Sequence, residues 1–391
     1  MEAFAEEQRR ICCTVVRGGT SRAVFVMENE LPNDPELRDR VILALYGSPD
    51  VRQIDGLGGA DPLTSKLAII GPPSRDDADV DYTFGQVSIT DPMVDYAGNC
   101  GNISSAVGPF AIDEGLVPAV EPVTTVRIHQ TNTDCLLVAQ VPVRNGKAAV
   151  EGDYHIDGVS GTGARIDLDF SDTAGAITGK LLPTGNPVDT LDVPNVGAVE
   201  VSIVDAATPC VFVRANDLGI EGTETPAQID GDAALNERIE RVRGTAAKLV
   251  GIVDSWDEAA TKSPYLPFFA LIAPPADYAD FVTGETVRAS DVDFLSRLLF
   301  MLRMHKAYPV TGTVCTGAAA RIPGTIVHEA AAPEMRHRPF VRIGHPAGII
   351  SIEAAVSLEG SQRVLKRAVV GRTARRIMEG YGFVRQSLFQ R

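Results

Sequence analysis

Short, broadly alternating runs of apolar and polar residues dominate the chain and predict strands. They include "TVVRGGTSRAVFVM" (14–27), "DYTFGQVSI" (81–89), "TTVRIHQTN" (124–132), "DCLLVAQVPV" (134–143) and "GAVEVSIVD" (197–205). Gly, Pro, Asn and Asp punctuate these runs, as turns between short strands require. Helical periodicity is rarer. It predicts helices over 35–47 ("PELRDRVILALYG"), after Cys100, over 231–251 and over 289–305. The balance predicts an α+β fold, with mostly antiparallel sheet wrapped on a few helices.

The pattern also repeats. "GGTSRAVFV" (18–26) pairs with "AATPCVFV" (206–213), and "ADPLTSKLAII" (60–70) with "ATKSPYLPFFALI" (260–272). "CGNISSAVGPFAIDEG" (100–115) pairs with "CTGAAARIPGTIVHE" (315–329), and "IHQTNTDCLLVAQVPV" (128–143) with "IGHPAGIISIEAAVS" (343–357). "GVSGTGARIDLDF" (158–170) pairs with "AVVGRTARRIMEG" (368–380). Each match is short, but all keep one order, as an internal duplication would. The Pro/Gly-rich stretch 181–197 reads as the linker. Two similar domains follow, 1–184 and 185–391, with the last segment free to pack back on the first. In such a pair the default ligand site is the inter-domain cleft.

Composition narrows the class. The 391 residues suffice for two or three domains, and no apolar run reaches the length of a membrane span. Mean hydropathy is near zero. The acidic start "MEAFAEEQRR" lacks the order of a secretory signal, so a cytoplasmic protein is expected. A net charge of −15 argues against a nucleic-acid surface. The six cysteines form no C-x-x-C and the six histidines no H-E-x-x-H, so neither a metal site nor a disulfide framework is expected. An acidic ligand would need local donors, and "RGGTSR" (17–22) supplies them with Arg17, Thr20, Ser21 and Arg22.

Candidate chemistry gathers at two places. In "YAGNCGNISS", Cys100 stands between Gly/Asn pairs where a helix can begin. Free N–H groups and the positive end of a helix favour the thiolate, the form that acts as a base. The same N–H groups can hold a carboxylate or enolate oxygen. A half-buried cysteine in a tight turn fits these residues as well. In "PLTSKLAII", Lys66 lies within an apolar strand, where desolvation favours the neutral amine and makes it a usable proton carrier. An edge-strand lysine reaching solvent is the alternative. Asp55 and Asp61 are candidates to orient it. Cys315 in "TGTVCTGAAA" looks like the echo of Cys100, with Thr316 and Gly317 opening a helix. His129 and His345 form no triad and read as structural, and adjacent Cys12 and Cys13 read as core.

These motifs resemble a known family. "RGGTSRAVF", "GLGGADPLTSKLAII", "YAGNCGNISSAVGPFAIDEGL", "TGTVCTGAAARIPGT" and "RTARRIMEG" are similar to the PrpF-like isomerases along nearly the whole chain. Through them the chain resembles the diaminopimelate epimerase fold, each domain a mostly antiparallel roll around a central helix. The resemblance implies a cofactor-free enzyme, often a homodimer, that moves or inverts a C=C bond in unsaturated di- or tricarboxylates. Cys100 and Lys66 match the family's active-site cysteine and lysine. Arg17, Thr20, Ser21, Arg22, Ser65, Asn99, Gly101, Asn102, Thr316 and Gly317 are the expected substrate contacts. Epimerases use a second cysteine in a C-G-[TS]-G turn. Here the second half reads "VCTGA", which fits a 1,3-proton shift between cysteine and lysine better than racemisation. The run of motifs is closest to the 4-oxalomesaconate isomerases of aromatic catabolism, ahead of 2-methylaconitate and methylitaconate isomerases. A non-catalytic binder of the same fold has no need of two proton carriers.

Overall fold

A computed structural model of the chain describes residues 7–360 and 362–390. It divides into two units: the chain up to Leu168 together with the stretch from Arg372 onward, and Asp169–Gly371. The division thus falls at 168/169 rather than 184/185, and the C-terminal strand belongs to the first unit. The expected linker 181–197 itself contains a strand, Asp189–Val193, which pairs with the strand that follows it.

In the first unit, β1 (Gln8–Gly18) and β2 (Ser21–Met27) form an antiparallel hairpin. Helix α1 (Pro35–Tyr46) starts on Asp34, whose carboxylate accepts from Leu37 N at 2.8 Å, and ends on Gly47 in the left-handed region. β3 (Lys66–Gly71) then joins β2 in parallel, and β4 (Val80–Val87) joins β3 antiparallel. Helix α2 (Gly101–Asp113) follows, and all of it except Pro109 and Asp113 is buried. A helix apolar on every side must be enclosed, and strands supply the enclosure. β5 (Val123–Gln130) lies parallel to β4, and β6 (Cys135–Arg144) antiparallel to β5. Gly108 lets α2 approach β6 closely, since a Cβ there would meet Val141 at 2.8 Å. The strand Ala374–Arg385 pairs antiparallel with β1.

The second unit repeats this order. β7 (Gly197–Ala206) and β8 (Thr208–Arg214) form the hairpin, and helix α3 (Ala233–Leu249) follows. β9 (Phe268–Ala273) joins β8 in parallel, and β10 (Phe294–Phe300) joins β9 antiparallel. Helix α4 (Val310–Ala320) is buried at every residue. β11 (Phe340–His345) runs parallel to β10, and β12 (Gly348–Glu359) antiparallel to β11. Each unit is therefore a mixed, largely antiparallel sheet around one central helix.

Two expectations from periodicity fail here. The helix expected over 289–305 is strand β10, buried at every residue but Phe300. A strand covered on both faces shows no alternation, so its apolar run cannot be told from a helix by period alone. Cys12 and Cys13 do not share the core: alternation sends Cys13 inward and leaves Cys12 exposed. No helix among the described residues is long and apolar enough to cross a membrane.

Candidate active site

The first unit gathers most of the candidate residues, and strand alternation decides which of them share a face. Val24, Val26, Leu67 and Ile69 pack with Val41, Ile42 and Leu45 of α1. Their neighbours in sequence point the other way. On that second face Phe25 meets Phe110 of α2, ring centroids 5.1 Å apart. Ala23 stands beside Lys66 in the parallel register, and Lys66 opposite Gln86 in the antiparallel one. Ser21, Lys66, Phe84 and Gln86 therefore lie on the side of the sheet that α2 covers.

Lys66 is 5% exposed. Its Nζ donates to Gln86 Oε1 at 2.7 Å and lies 5.3 Å from the centre of the Phe84 ring. The Tyr46 hydroxyl donates to the Lys66 carbonyl and accepts from Val24 N at 3.3 Å, fixing the strand beneath. Asp55 and Asp61 do not orient the amine. Asp55 is exposed, 3.9 Å from Arg385, and the Asp61 carboxylate accepts from Leu63 N in its own turn.

Cys100 occupies the N-cap position of α2, half-buried, with extended backbone. Its side chain makes no capping bond, so the thiol is not spent on the helix. The Cys100 carbonyl instead accepts from Ser104 N at 2.9 Å and Ser104 Oγ at 3.1 Å. Ser104 Oγ also donates to Asn99 Oδ1 at 2.9 Å, which locks the turn on both sides of the cysteine. Gly101 and Asn102 are buried in the first helical turn.

The "RGGTSR" turn is clamped on that same helix end. Asn102 Nδ2 donates to Thr20 Oγ1 at 3.0 Å. A Cβ on Gly18 would lie 2.3 Å from the Asn102 carbonyl, and one on Gly19 2.1 Å from Asn102 Oδ1. Ser21 Oγ is buried and has no hydrogen-bond partner among the described residues. Ser65 Oγ donates to Gln53 Oε1 at 2.7 Å and so braces the loop before Lys66.

The two flanking arginines have other duties. Arg17 donates to Gly19 O at 2.9 Å, Thr373 O at 3.1 Å and Thr373 Oγ1 at 3.0 Å; burial and then the nearby Arg375 push it below the usual arginine range. Arg22 points to the α1 side of the sheet, its guanidinium beside Gly59.

Thr316 and Gly317 do not open a helix. Helix α4 begins six residues earlier in the chain, at Val310 after Pro309, and both residues are interior to it. Their N–H groups lie beyond the first turn and serve the helix itself. Thr316 Oγ1 is bonded to the Tyr308 hydroxyl at 2.9 Å, and Gly317 packs on Ile352. Cys315 is buried, its Sγ donating to Val204 O at 3.1 Å, and burial holds its thiol far above the usual range.

His129 lies between Asp81 and Asp134, at 2.9 and 3.0 Å, and His345 Nδ1 accepts from Ala347 N at 3.2 Å. Among the described residues no group of three or more His, Cys, Asp or Glu could hold a metal ion.

Three residues that the sequence reading passed over matter here. Gln86 holds the Lys66 amine. Asn132 donates to Phe84 O at 2.9 Å and Tyr96 O at 2.8 Å, tying the strand beside Lys66 to the loop before Cys100. Arg372 is buried, pushed down to about 10 by burial, with its Cδ against Gly19. The motif "RTARR" held the signal for Arg372, because the β1 register sets Arg375 opposite Arg17.

The PrpF protein family matches residues 8–385. A 3-methylitaconate isomerase of Eubacterium barkeri is 57% identical over 97% of this chain and 99% of its own length. A 2-methyl-aconitate isomerase of Shewanella oneidensis is 40% identical over 96% of each chain. A 4-oxalomesaconate tautomerase of Pseudomonas putida is 40% identical over 95% of this chain and 96% of its own. Among solved structures, a methylitaconate-delta-isomerase superposes with a TM-score of 0.85 at 56% identity, covering 97% of both chains. A probable proline racemase from Agrobacterium radiobacter has a TM-score of 0.53 at 12% identity, covering 95% of this chain and 92% of that one. This last likeness is one of fold, and the fold is of the diaminopimelate epimerase type.

Proposed function

The chain belongs to the PrpF family of isomerases, and from that premise we propose that it moves a carbon–carbon double bond in methylitaconate or a close analogue. The motif run alone leans toward 4-oxalomesaconate. Identity over the whole chain supports methylitaconate instead, at 57% against 40%. The observation that carries the mechanism is the shared face. The buried amine of Lys66 lies on the side of the sheet that α2 covers, and the uncommitted thiol of Cys100 stands where α2 begins.

In methylitaconate a terminal =CH2 group stands one carbon away from a C–H flanked by a carboxylate. The Cys100 thiolate takes that C–H proton and becomes a thiol. The electron pair moves into the skeleton as a dienolate, and the double bond shifts inward. The Lys66 ammonium returns a proton to the =CH2 carbon, which becomes methyl, and leaves as the neutral amine. Exchange with water restores both groups. N–H groups of the first turn of α2 and the Ser21 hydroxyl stabilise the charge that develops. The same reading makes the enzyme cytoplasmic, cofactor-independent and dimeric.

NMR in D2O tests it. Methylitaconate incubated with the wild-type enzyme should acquire deuterium at both ends of its allylic system as the reaction runs in both directions. Cys100→Ser and Lys66→Met should each lower kcat by about 10²- to 10⁴-fold. Lys66→Met should still exchange the C–H of methylitaconate, whereas Cys100→Ser should exchange neither end of methylitaconate and only the new methyl group of the isomerised product. Loss of that C–H exchange in Lys66→Met, or its persistence in Cys100→Ser, would sink the two-ended assignment. Faster turnover of 4-oxalomesaconate than of methylitaconate would overturn the substrate.

A further inference from the structure

Gln86 stands directly across from Lys66 in the β3/β4 register. Its Oε1 accepts from Lys66 Nζ at 2.7 Å, while its Nε2 donates to Ser65 O at 2.9 Å and Pro62 O at 3.2 Å. With the NH2 group spent on these carbonyls, the amide cannot turn over, and its oxygen must face the amine. On the far side of Gln86, the short strand Val94–Asp95 places Asp95 opposite it in register. The Asp95 carboxylate accepts from Ala97 N at 2.8 Å, in the loop leading to Cys100. The row across the sheet thus reads Lys66, Gln86, Asp95, a neutral amide standing between a cation and an anion.

We propose that Gln86 is the positioning residue for Lys66, aiming its amine and keeping a carboxylate from occupying that place. An amide oxygen accepts a hydrogen bond from an ammonium or from a neutral amine. A carboxylate adds charge attraction and holds the ammonium form. A lysine that must give up and regain a proton in each turnover is served by the amide and held back by the carboxylate. The inference rests on the reading of Lys66 as proton donor.

The test is a double-mutant cycle on the full chain with methylitaconate, reading kcat, KM and deuterium entry. Gln86→Met removes the acceptor and should lower kcat by about 10²-fold, as small misplacements of a catalytic group do, with KM nearly unchanged. Gln86→Glu keeps an acceptor in place but adds charge, and should lower kcat at least as far. In a Lys66→Met background, Gln86→Met should leave the remaining exchange at the carbon served by Cys100 unchanged, because Gln86 acts only through the amine.

Full kcat in Gln86→Met, or an equal loss in the Lys66→Met background, overturns the inference. Should Gln86→Met fail to fold, Gln86→Glu carries the same cycle. Wild-type turnover in Lys66→Met would instead overturn the reading of Lys66 itself. A dead Lys66→Met beside a fully active Gln86→Met removes only the role of Gln86.

Discussion

At the scale of single residues, the most informative group is the one that does nothing for the fold. A buried hydroxyl without a partner costs free energy, because desolvation is not repaid by a hydrogen bond. Ser21 Oγ is such a group, on the face it shares with Lys66. Ser21→Ala should therefore leave the thermal midpoint unchanged or raise it. Because the hydroxyl is proposed to meet charge that develops on the substrate, the same change should lower kcat/KM by roughly 10-fold or more, the worth of a hydrogen bond to a charged group. A lowered midpoint with an unchanged kcat/KM would make Ser21 a structural residue. Cys100 and Lys66 stand out in the sequence because a thiol among glycines and a lysine in an apolar strand both break local rules. Gln86 does not: a glutamine in an alternating strand breaks no rule, and only the cross-strand register sets it against Lys66.

At the scale of elements, the turn 18–20 and the start of α2 act as one piece. Gly19 has φ +48°, and its missing Cβ leaves room for the Asn102 amide on one side and the Arg372 stem on the other. Gly19→Ala would force that amide off Thr20 and strain the backbone. A loss of about 1–3 kcal/mol in stability is expected, read by urea denaturation, together with a fall in kcat/KM because the helix start carrying Cys100 shifts. Gly179→Ala serves as control: it also has positive φ, but nothing lies within 4 Å of its Cβ. Equal kinetic losses in both would detach the turn from the site. The sequence marks this turn as donor-rich, and strand alternation through β2 divides its donors, with Arg22 on the α1 face and Ser21 on the other. The misreading of β10 has a different origin, since burial on both faces erases the period that separates strand from helix.

At the scale of the whole molecule, the duplication is one of topology rather than of chemistry. Both units run hairpin, parallel strand, antiparallel strand, buried helix, parallel strand and antiparallel strand. Register then identifies true counterparts. Lys66 stands beside the third residue of β2, and Phe268 beside the third residue of β8. Cys100 caps α2, and Pro309 caps α4. Neither counterpart, Phe268 or Pro309, can carry a proton, whereas Lys66 and Cys100 both can. The sequence pairing of Cys100 with Cys315 matched letters, not positions.

Cys315 lies well inside α4, sealed from solvent, and its burial keeps it a thiol. Cys315→Ala should therefore keep kcat and KM within about twofold, with a stability loss of about 1 kcal/mol for the vacated volume. Alkylation should inactivate this variant at the wild-type rate, with protection by methylitaconate, while Cys100→Ser has no activity left to lose. A Cys315→Ala enzyme that folds with the wild-type midpoint yet does not turn over would show that Cys315 itself takes part in the chemistry.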